Sequence, residues 1–125
     1  MGFASVDDAS QVSPRAYASF FRRLYNATFL TRELSERALD ILSKTDFADG
    51  LRAGVPADVV VAHKFGERGI YEDGRVVGVE LHDCGIVYAP AGPYLICVMT
   101  GGSDEKTLEA IICEISARVW AGLGT

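Results

Sequence analysis

Three apolar runs between residues 59 and 100 are separated by turn signals, and their spacing limits the possible folds more than any other feature. The runs cover residues 59–64, 79–88 and 94–100. The first is rich in β-branched residues, which favours a strand. Asp73-Gly74 and the segment 89–93 mark turns between the runs. These signals predict three antiparallel strands. The third run is almost continuously apolar, so we expect a central strand that is buried on both faces.

Helical periodicity flanks the strands on both sides. Ser13-Pro14 is typical of an N-cap followed by proline, and the apolar stripe after it ends near Asn26. Thr31 predicts the N-cap of a second helix, and Gly101–Asp104 precedes a third. The predicted apolar faces of the last two helices are Leu34, Ala38, Ile41 and Leu42, then Leu108, Ile111, Ile112, Ile115 and Val119.

This order predicts an α+β fold with two N-terminal helices, three antiparallel strands and a C-terminal helix packed on the sheet. Residues 1–12 are predicted to be a lead-in, and residues 13–125 a single domain, because 125 residues are the usual size of one domain. No apolar run reaches transmembrane length, so we expect no membrane span. The N-terminus also lacks the basic and apolar regions of a signal peptide.

Charge and the distribution of metal-binding residue types exclude two function classes. The chain has 17 acidic and 12 basic residues, a net charge of −5 and no basic run, so we expect no nucleic-acid partner. His63 and His82 are isolated in the sequence, and no set of three or four metal ligands emerges. We therefore predict no metal and no cofactor. His82-Asp83 is predicted to be a hydrogen-bonded pair that supports the strand of Lys64.

Three cysteines, Cys84, Cys97 and Cys113, cannot all pair within one chain. Each lies in an apolar stretch, which favours small buried thiols, and none has metal-ligand spacing. Cys84 and Cys97 could also face each other on neighbouring strands. The sequence alone does not decide between thiols and a disulfide.

An ordered series of motifs resembles a known enzyme family. His63–Glu67, His82–Tyr88 and Pro93–Leu95 follow one another as in the second half of class A β-lactamase-like and penicillin-binding serine hydrolases. Upstream, the segments 13–18, 29–31 and 51–56 are similar to the two helices and the loop that precede the Lys-Thr-Gly strand of that family. The resemblance extends over residues 13 to 121 and implies the C-terminal part of the catalytic domain.

The resemblance implies a role for each residue of the Lys-x-Gly strand. Lys64 would provide a positive charge for a carboxylate-bearing substrate. Gly66 would allow close approach of the substrate, and the backbone N–H of Glu67 would be an oxyanion-hole donor. Phe65 occupies the position at which the family has Thr or Ser. Its lack of a hydroxyl argues against efficient hydrolysis of standard penicillins, because such a hydrogen bond contributes about 1.5–3 kcal/mol.

The nucleophile of the family lies in a Ser-x-x-Lys helix, and this helix has no counterpart among the matched motifs. Ser103–Lys106 has the Ser-x-x-Lys spacing, but it follows the last strand, where it is typical of helix capping. We therefore expect the chain to be inactive alone, with no complete catalytic set.

Two functions remain open. The chain is either part of a serine hydrolase acting on β-lactam or peptidoglycan-like amides, or a non-catalytic interaction module. In the family, two N-terminal strands pair beside the strand that matches 94–100. An open edge there predicts a homo-oligomer or a complementing chain. The resemblance also implies a periplasmic or secreted location.

Overall fold

The computed structural model describes residues 12–124, so most of the predicted lead-in lies outside the described residues. The elements follow the predicted order. They are α1 (Pro14–Asn26), α2 (Arg32–Leu42), a 3₁₀ turn (Leu51–Gly54), β1 (Val61–Glu72), β2 (Arg75–Ala89), β3 (Gly92–Gly102) and α3 (Glu105–Leu123). The fold is α+β, as predicted.

Side-chain caps begin all three helices of the described part of the chain. The Ser13 hydroxyl accepts a hydrogen bond from the Ala16 N–H, and the Thr31 hydroxyl accepts one from the Leu34 N–H. Both caps confirm the predicted helix starts, since each satisfies an N–H that has no partner within the helix. At α3 the cap is Asp104, which accepts from Thr107.

The sheet has the strand order β1-β2-β3, and both pairings are antiparallel. Asp73 and Gly74 both have positive φ angles, which the tight turn between β1 and β2 requires. The strands extend well beyond the apolar runs, because the turn-proximal ends of β1 and β2 pair with each other although they are exposed.

The prediction of a central position for the third strand is wrong. β2 is the central strand, and β3 lies at one edge of the described sheet. Ile96 and Val98 of β3 are buried, whereas Leu95, just before Ile96, is exposed. Its continuous apolar run therefore reflects one face covered by α3 and another covered only in part by α1.

Two apolar clusters lie on opposite faces of the sheet. The larger cluster packs β-strand residues against the 3₁₀ turn and α3, with Leu51, Leu81, Leu108 and Ile112 among its members. The smaller cluster packs the other face against α1 and α2, and it contains Phe21, Leu39, Ala62, Cys84 and Ile86. Burial of apolar side chains on both faces provides the main driving force for this fold.

The predicted apolar faces of two helices are partly wrong. In α2, Leu34 and Ile41 are exposed, whereas Ser35 and Leu39 are buried. In α3, Leu108 and Ile112 are buried as predicted. Ile111 and Ile115 are exposed, and Glu109 and Ser116 are buried in their place. Each helix thus turns a narrower stripe toward the sheet than its apolar residues alone suggest.

Cys84 and Cys97 form a disulfide between β2 and β3, so the expectation of buried thiols is wrong for these two residues. They lie directly opposite each other in the register, with 4.0 Å between their Cα atoms. Cys113 remains a free thiol. Between residues 12 and 124, no helix is both long and apolar enough to cross a membrane.

Candidate functional site

The Lys-x-Gly residues lie on β1, and the alternation of the strand divides them between the two faces of the sheet. Lys64 and Gly66 share the face of Ala62, which is covered by α1 and α2. Phe65 and Glu67 belong to the opposite face, that of Val61 and α3. The sequence-predicted residues are therefore brought together only in part.

The hydrogen-bond pattern of the β1–β2 pair determines where the Glu67 N–H points. Tyr88 N–H donates to the Val60 oxygen over 3.0 Å, so this pair of opposite residues is hydrogen-bonded. In an antiparallel pair such positions alternate, and the register is continuous up to Ile70. The backbone of Gly66 is therefore hydrogen-bonded to β2. The backbone N–H of Glu67 points away from β2, outward from the edge of the sheet. The Thr45 hydroxyl, which donates to the outward oxygen of His63 over 2.8 Å, agrees with this assignment.

A cleft of about 480 Å³ opens beside Gly66, a size typical of small-molecule sites. All three strands contribute to its wall, and Val12, just ahead of α1, also lines it. Its lining residues on the strands are Gly66, Glu67, Arg68, Glu80, Leu81, His82, Met99, Thr100 and Gly101. The Lys-x-Gly segment is thus one wall of the cleft through Gly66 and Glu67.

Lys64 is exposed at the end of this wall. Its ammonium donates to the outward backbone oxygen of Phe65 and lies 4.8 Å from the centre of the Phe65 ring. The ring itself stacks on Phe47, with 4.4 Å between the ring centres. Phe65 therefore has a packing contact on the far side of the strand and presents no polar group to the cleft.

His82 is a member of the cleft that the sequence did not indicate. It lies opposite Gly66 in the register, and a Cβ atom at Gly66 would be 2.4 Å from its Cε1 atom. Its ring also contacts Tyr17 of α1, with 5.1 Å between the ring centres. Burial lowers the pKa of His82, and the Lys64 ammonium lowers it further, against smaller opposing effects of nearby carboxylates. The imidazole of His82 and the ammonium of Lys64 therefore lie close enough to interact electrostatically.

The predicted hydrogen bond between His82 and Asp83 is wrong, because neighbours on a strand point to opposite faces. The partner of Asp83 is His63, with 2.7 Å between Nδ1 and Oδ1, and both side chains are almost fully buried. The other oxygen of Asp83 accepts from the Leu51 N–H over 3.0 Å. The Leu51 oxygen in turn accepts from the Ser116 hydroxyl over 2.7 Å.

This chain of buried hydrogen bonds joins β1, β2, the 3₁₀ turn and α3 directly behind the Lys-x-Gly segment. Nε2 of His63 has no partner among the described residues. The network joins the strand of Lys64 to its neighbours through His63 and Asp83, and not through the predicted pair of His82 and Asp83. Gly85 makes room for it, since a Cβ there would lie 2.6 Å from Cβ of His63.

The serine of the Ser-x-x-Lys spacing does not line the cleft, and the structure shows no metal site in its described part. Ser103 is exposed ahead of the Asp104 cap and is not among the lining residues. Within the described part of the chain, no group of three His, Cys, Asp or Glu side chains is placed to hold a metal ion. The wall carries a cation, a half-buried imidazole and an outward N–H, which together can bind an anion or a polarised carbonyl group.

A three-stranded antiparallel sheet between helices, with a Lys-x-Gly edge strand beside a cleft, defines a partial β-lactamase-like fold. The model of the beta-lactamase enzyme family matches residues 2–123, and the chain belongs to this family. No curated protein matches the chain.

Solved structures of similar fold agree with this assignment. The TLA-3 extended-spectrum beta-lactamase is 26% identical with a TM-score of 0.83, and the match covers 97% of this chain and 45% of that one. A class A beta-lactamase representative from Bacteroides cellulosilyticus is 26% identical with a TM-score of 0.77, covering 90% and 41%. PBP-A is 25% identical with a TM-score of 0.73, covering 89% and 39%. The chain therefore spans less than half the length of these structures.

Proposed function

We propose that the chain forms the C-terminal wall of a serine acyl-transfer site that acts on β-lactam or cell-wall-peptide-like amides. The outward direction of the Glu67 N–H, next to a glycine that lines the cleft, is the observation that carries this proposal. An oxyanion-hole donor must have a free N–H aimed at the reacting carbonyl. A PBP-A mutant forms an acyl-enzyme complex with penicillin G, which supports this class of ligand.

Lys64 provides the charge at the end of the same wall. A substrate carboxylate is a stronger partner for its ammonium than the neutral Phe65 oxygen to which it now donates, because a hydrogen bond between two ions is charge-assisted. Ser103 lies outside the cleft, so we propose that this chain binds ligand without forming an acyl-enzyme and needs a Ser-x-x-Lys helix from an N-terminal half. The disulfide Cys84–Cys97 supports an oxidising compartment, periplasmic or secreted.

The test is a titration of the purified chain with benzylpenicillin, followed by the backbone amide signals in ¹H–¹⁵N NMR. We expect shifts concentrated at Gly66 and Glu67, and no mass increase of the protein after incubation. Lys64→Met should weaken binding roughly tenfold, because a charge-assisted hydrogen bond is lost. Lys44→Met, at an exposed position just after the end of α2, is the matched control and should bind like the wild type.

Two results would contradict the proposal. An acyl adduct or a burst of chromogenic cephalosporin hydrolysis would show that the chain has its own nucleophile. Equal binding by the Lys64 and Lys44 variants would remove Lys64 from the site.

The open edge of β3 favours a second candidate function, a non-catalytic module that pairs with another strand. The backbone groups of Leu95, Cys97 and Met99 point away from β2, because the alternate residues of β3 bond to it. Among residues 12–124, no strand lies on this side. An unprotected strand edge recruits a partner strand, here from a second copy or a complementing chain.

Sedimentation over a wide concentration range tests this second function. We expect concentration-dependent association of the wild type, and a monomer for Leu95→Pro. Proline at this position removes an outward N–H but none of the hydrogen bonds to β2. A wild-type monomer at every concentration would exclude pairing between copies.

A further inference from the structure

Three rows of side chains cross the sheet on the face of Lys64. They are Lys64, Cys84 and Cys97, then Gly66, His82 and Met99, then Arg68, Glu80 and Gly101. His82 is at the centre of the middle row. Since Gly66 beside it has no side chain, the imidazole forms the wall of the cleft at the point where a ligand would approach the Gly66 backbone.

We propose that His82 is a specificity-determining residue of this cleft, which binds the carboxylate of the ligand together with Lys64. This inference rests on the proposed function and adds a residue to it. Phe65 offers no polar group to a ligand carboxylate, whereas His82 lies on the same face of the sheet as Lys64. The ligand class is accordingly a β-lactam or peptide-like amide that carries a free carboxylate near its scissile carbonyl.

The neighbouring groups leave His82 and Lys64 as the pair that can receive an anion. Arg68, the third cation on this face, is engaged with Glu80, with 3.0 Å between Nη2 and Oε2. Lys64 donates to a neutral backbone oxygen, a weaker partner than a carboxylate. Tyr17 holds the His82 ring from the side of α1, so the ring is oriented before ligand binds.

The proposal predicts that binding becomes tighter as the pH falls. The groups that face His82 are Tyr17 from α1, Lys64 and Arg68 from β1, and Glu80 from β2, whereas β3 contributes the neutral Met99. Asp83 lies on the opposite face and acts on the imidazole only through its charge. In the free chain, burial and Lys64 keep the pKa of His82 low, so the imidazole is mostly neutral near pH 7. A bound carboxylate favours the imidazolium and raises this pKa. Binding therefore takes up a proton.

The experiment compares benzylpenicillin with its methyl ester, which lacks the charge. Dissociation constants are measured by NMR at about pH 5.5 and about pH 7.5, on either side of the ordinary histidine pKa. For the wild type, we expect benzylpenicillin to bind roughly tenfold more tightly at the lower pH, because of the linked protonation of one group. The ester should bind weakly and equally at both.

His82→Gln tests the residue itself, since glutamine keeps a polar group of similar reach but does not titrate. It should abolish the pH dependence and weaken binding at the lower pH about tenfold, while Lys44→Gln leaves both unchanged. In the wild type, the Cε1–H signal of His82 gives a measurement that depends on no substitution. Its titration midpoint should rise when benzylpenicillin is added.

The outcomes separate this inference from the proposed function. If benzylpenicillin shifts the Gly66 and Glu67 amides but its affinity is the same at both pH values and in His82→Gln, the role of His82 is refuted and the proposed site stands. If neither compound binds the wild type at either pH, the proposed function fails, and the inference fails with it.

Discussion

Replacement of Asp83 by alanine removes two buried hydrogen bonds, one to His63 within the sheet and one from the 3₁₀ turn to the sheet. The two acceptor oxygens of Asp83 engage Nδ1 of His63 at 2.7 Å and the Leu51 N–H at 3.0 Å, and no part of the Asp83 side chain is exposed. The variant leaves both partners buried without a bond. Water cannot replace the carboxylate without a cavity that is large enough and polar.

The magnitude follows from these contacts. Removal of the carboxylate leaves two buried partners without a hydrogen bond, at about 1–3 kcal/mol each, a large part of the roughly 5–15 kcal/mol by which a domain is stable. Asp83→Asn should cost only about 1–2 kcal/mol. Its amide oxygen can still accept from the Leu51 N–H, and its NH₂ group can donate to Nδ1 of His63 when the ring proton is on Nε2.

Urea unfolding followed by far-UV circular dichroism measures these differences. Asp58→Ala, at an exposed aspartate without a side-chain partner in the described residues, is the control and should change the free energy of unfolding by less than about 0.5 kcal/mol. The expected order of stability is wild type, asparagine variant, alanine variant. If Asp83→Ala were as stable as Asp58→Ala, the buried network would not hold the turn to the sheet, and this account of the strand support would be wrong.

Two further substitutions test the sheet beside the cleft. The double variant Cys84→Ser, Cys97→Ser should lower the free energy of unfolding by about 3 kcal/mol, as expected for a disulfide that closes a loop of this length. Cys113→Ser is the control and should have little effect. Equal urea midpoints of the wild type with and without reductant would contradict this. Gly85→Ala places a Cβ 2.3 Å from the Ala62 oxygen and should cost about 1–3 kcal/mol or more, but Gly122→Ala in α3 meets no atom within 4 Å and should be neutral or stabilising. A thermal melt that ranks the two glycine variants in reverse would refute the close-packing argument.

Local sequence signals were sufficient to predict the helix starts and the turn between the first two strands. Ser13 and Thr31 cap their helices through contacts with the backbone only three residues away. The Asp73-Gly74 turn likewise depends on the conformational preferences of its own residues. Such features need no knowledge of distant contacts, and their prediction from the sequence was therefore accurate.

The position of β3 in the sheet and the buried face of α2 needed the tertiary structure. An apolar run such as 94–100 indicates burial, but it does not say which neighbours bury it. In α2 Ser35 is buried together with Leu39, whereas the larger and more apolar Ile41 is left exposed. At both places tertiary packing, and not the hydrophobicity of the segment, decided which side chains are buried.

The position of His82 opposite Gly66 shows why only part of the site could be predicted from the sequence. Counting back from the turn, where Glu72 pairs with Arg75, would place Leu81 opposite Gly66. The register shifts by one residue between Ile70 and Tyr71, and this bulge places His82 opposite Gly66 instead. A shift of one residue moves every side chain of β2 to the other face, and no local signal reveals it.

The sequence by itself determined the Lys-x-Gly strand and, through the two-residue period of a strand, that Lys64 and Gly66 share one face. It also determined that Phe65 brings no hydroxyl. Only the tertiary structure decided that His82 joins them and that His63 is the partner of Asp83. The physical reason is that the alternation of side chains is a local property of one strand, whereas the register between strands depends on a bulge and on the packing of both faces.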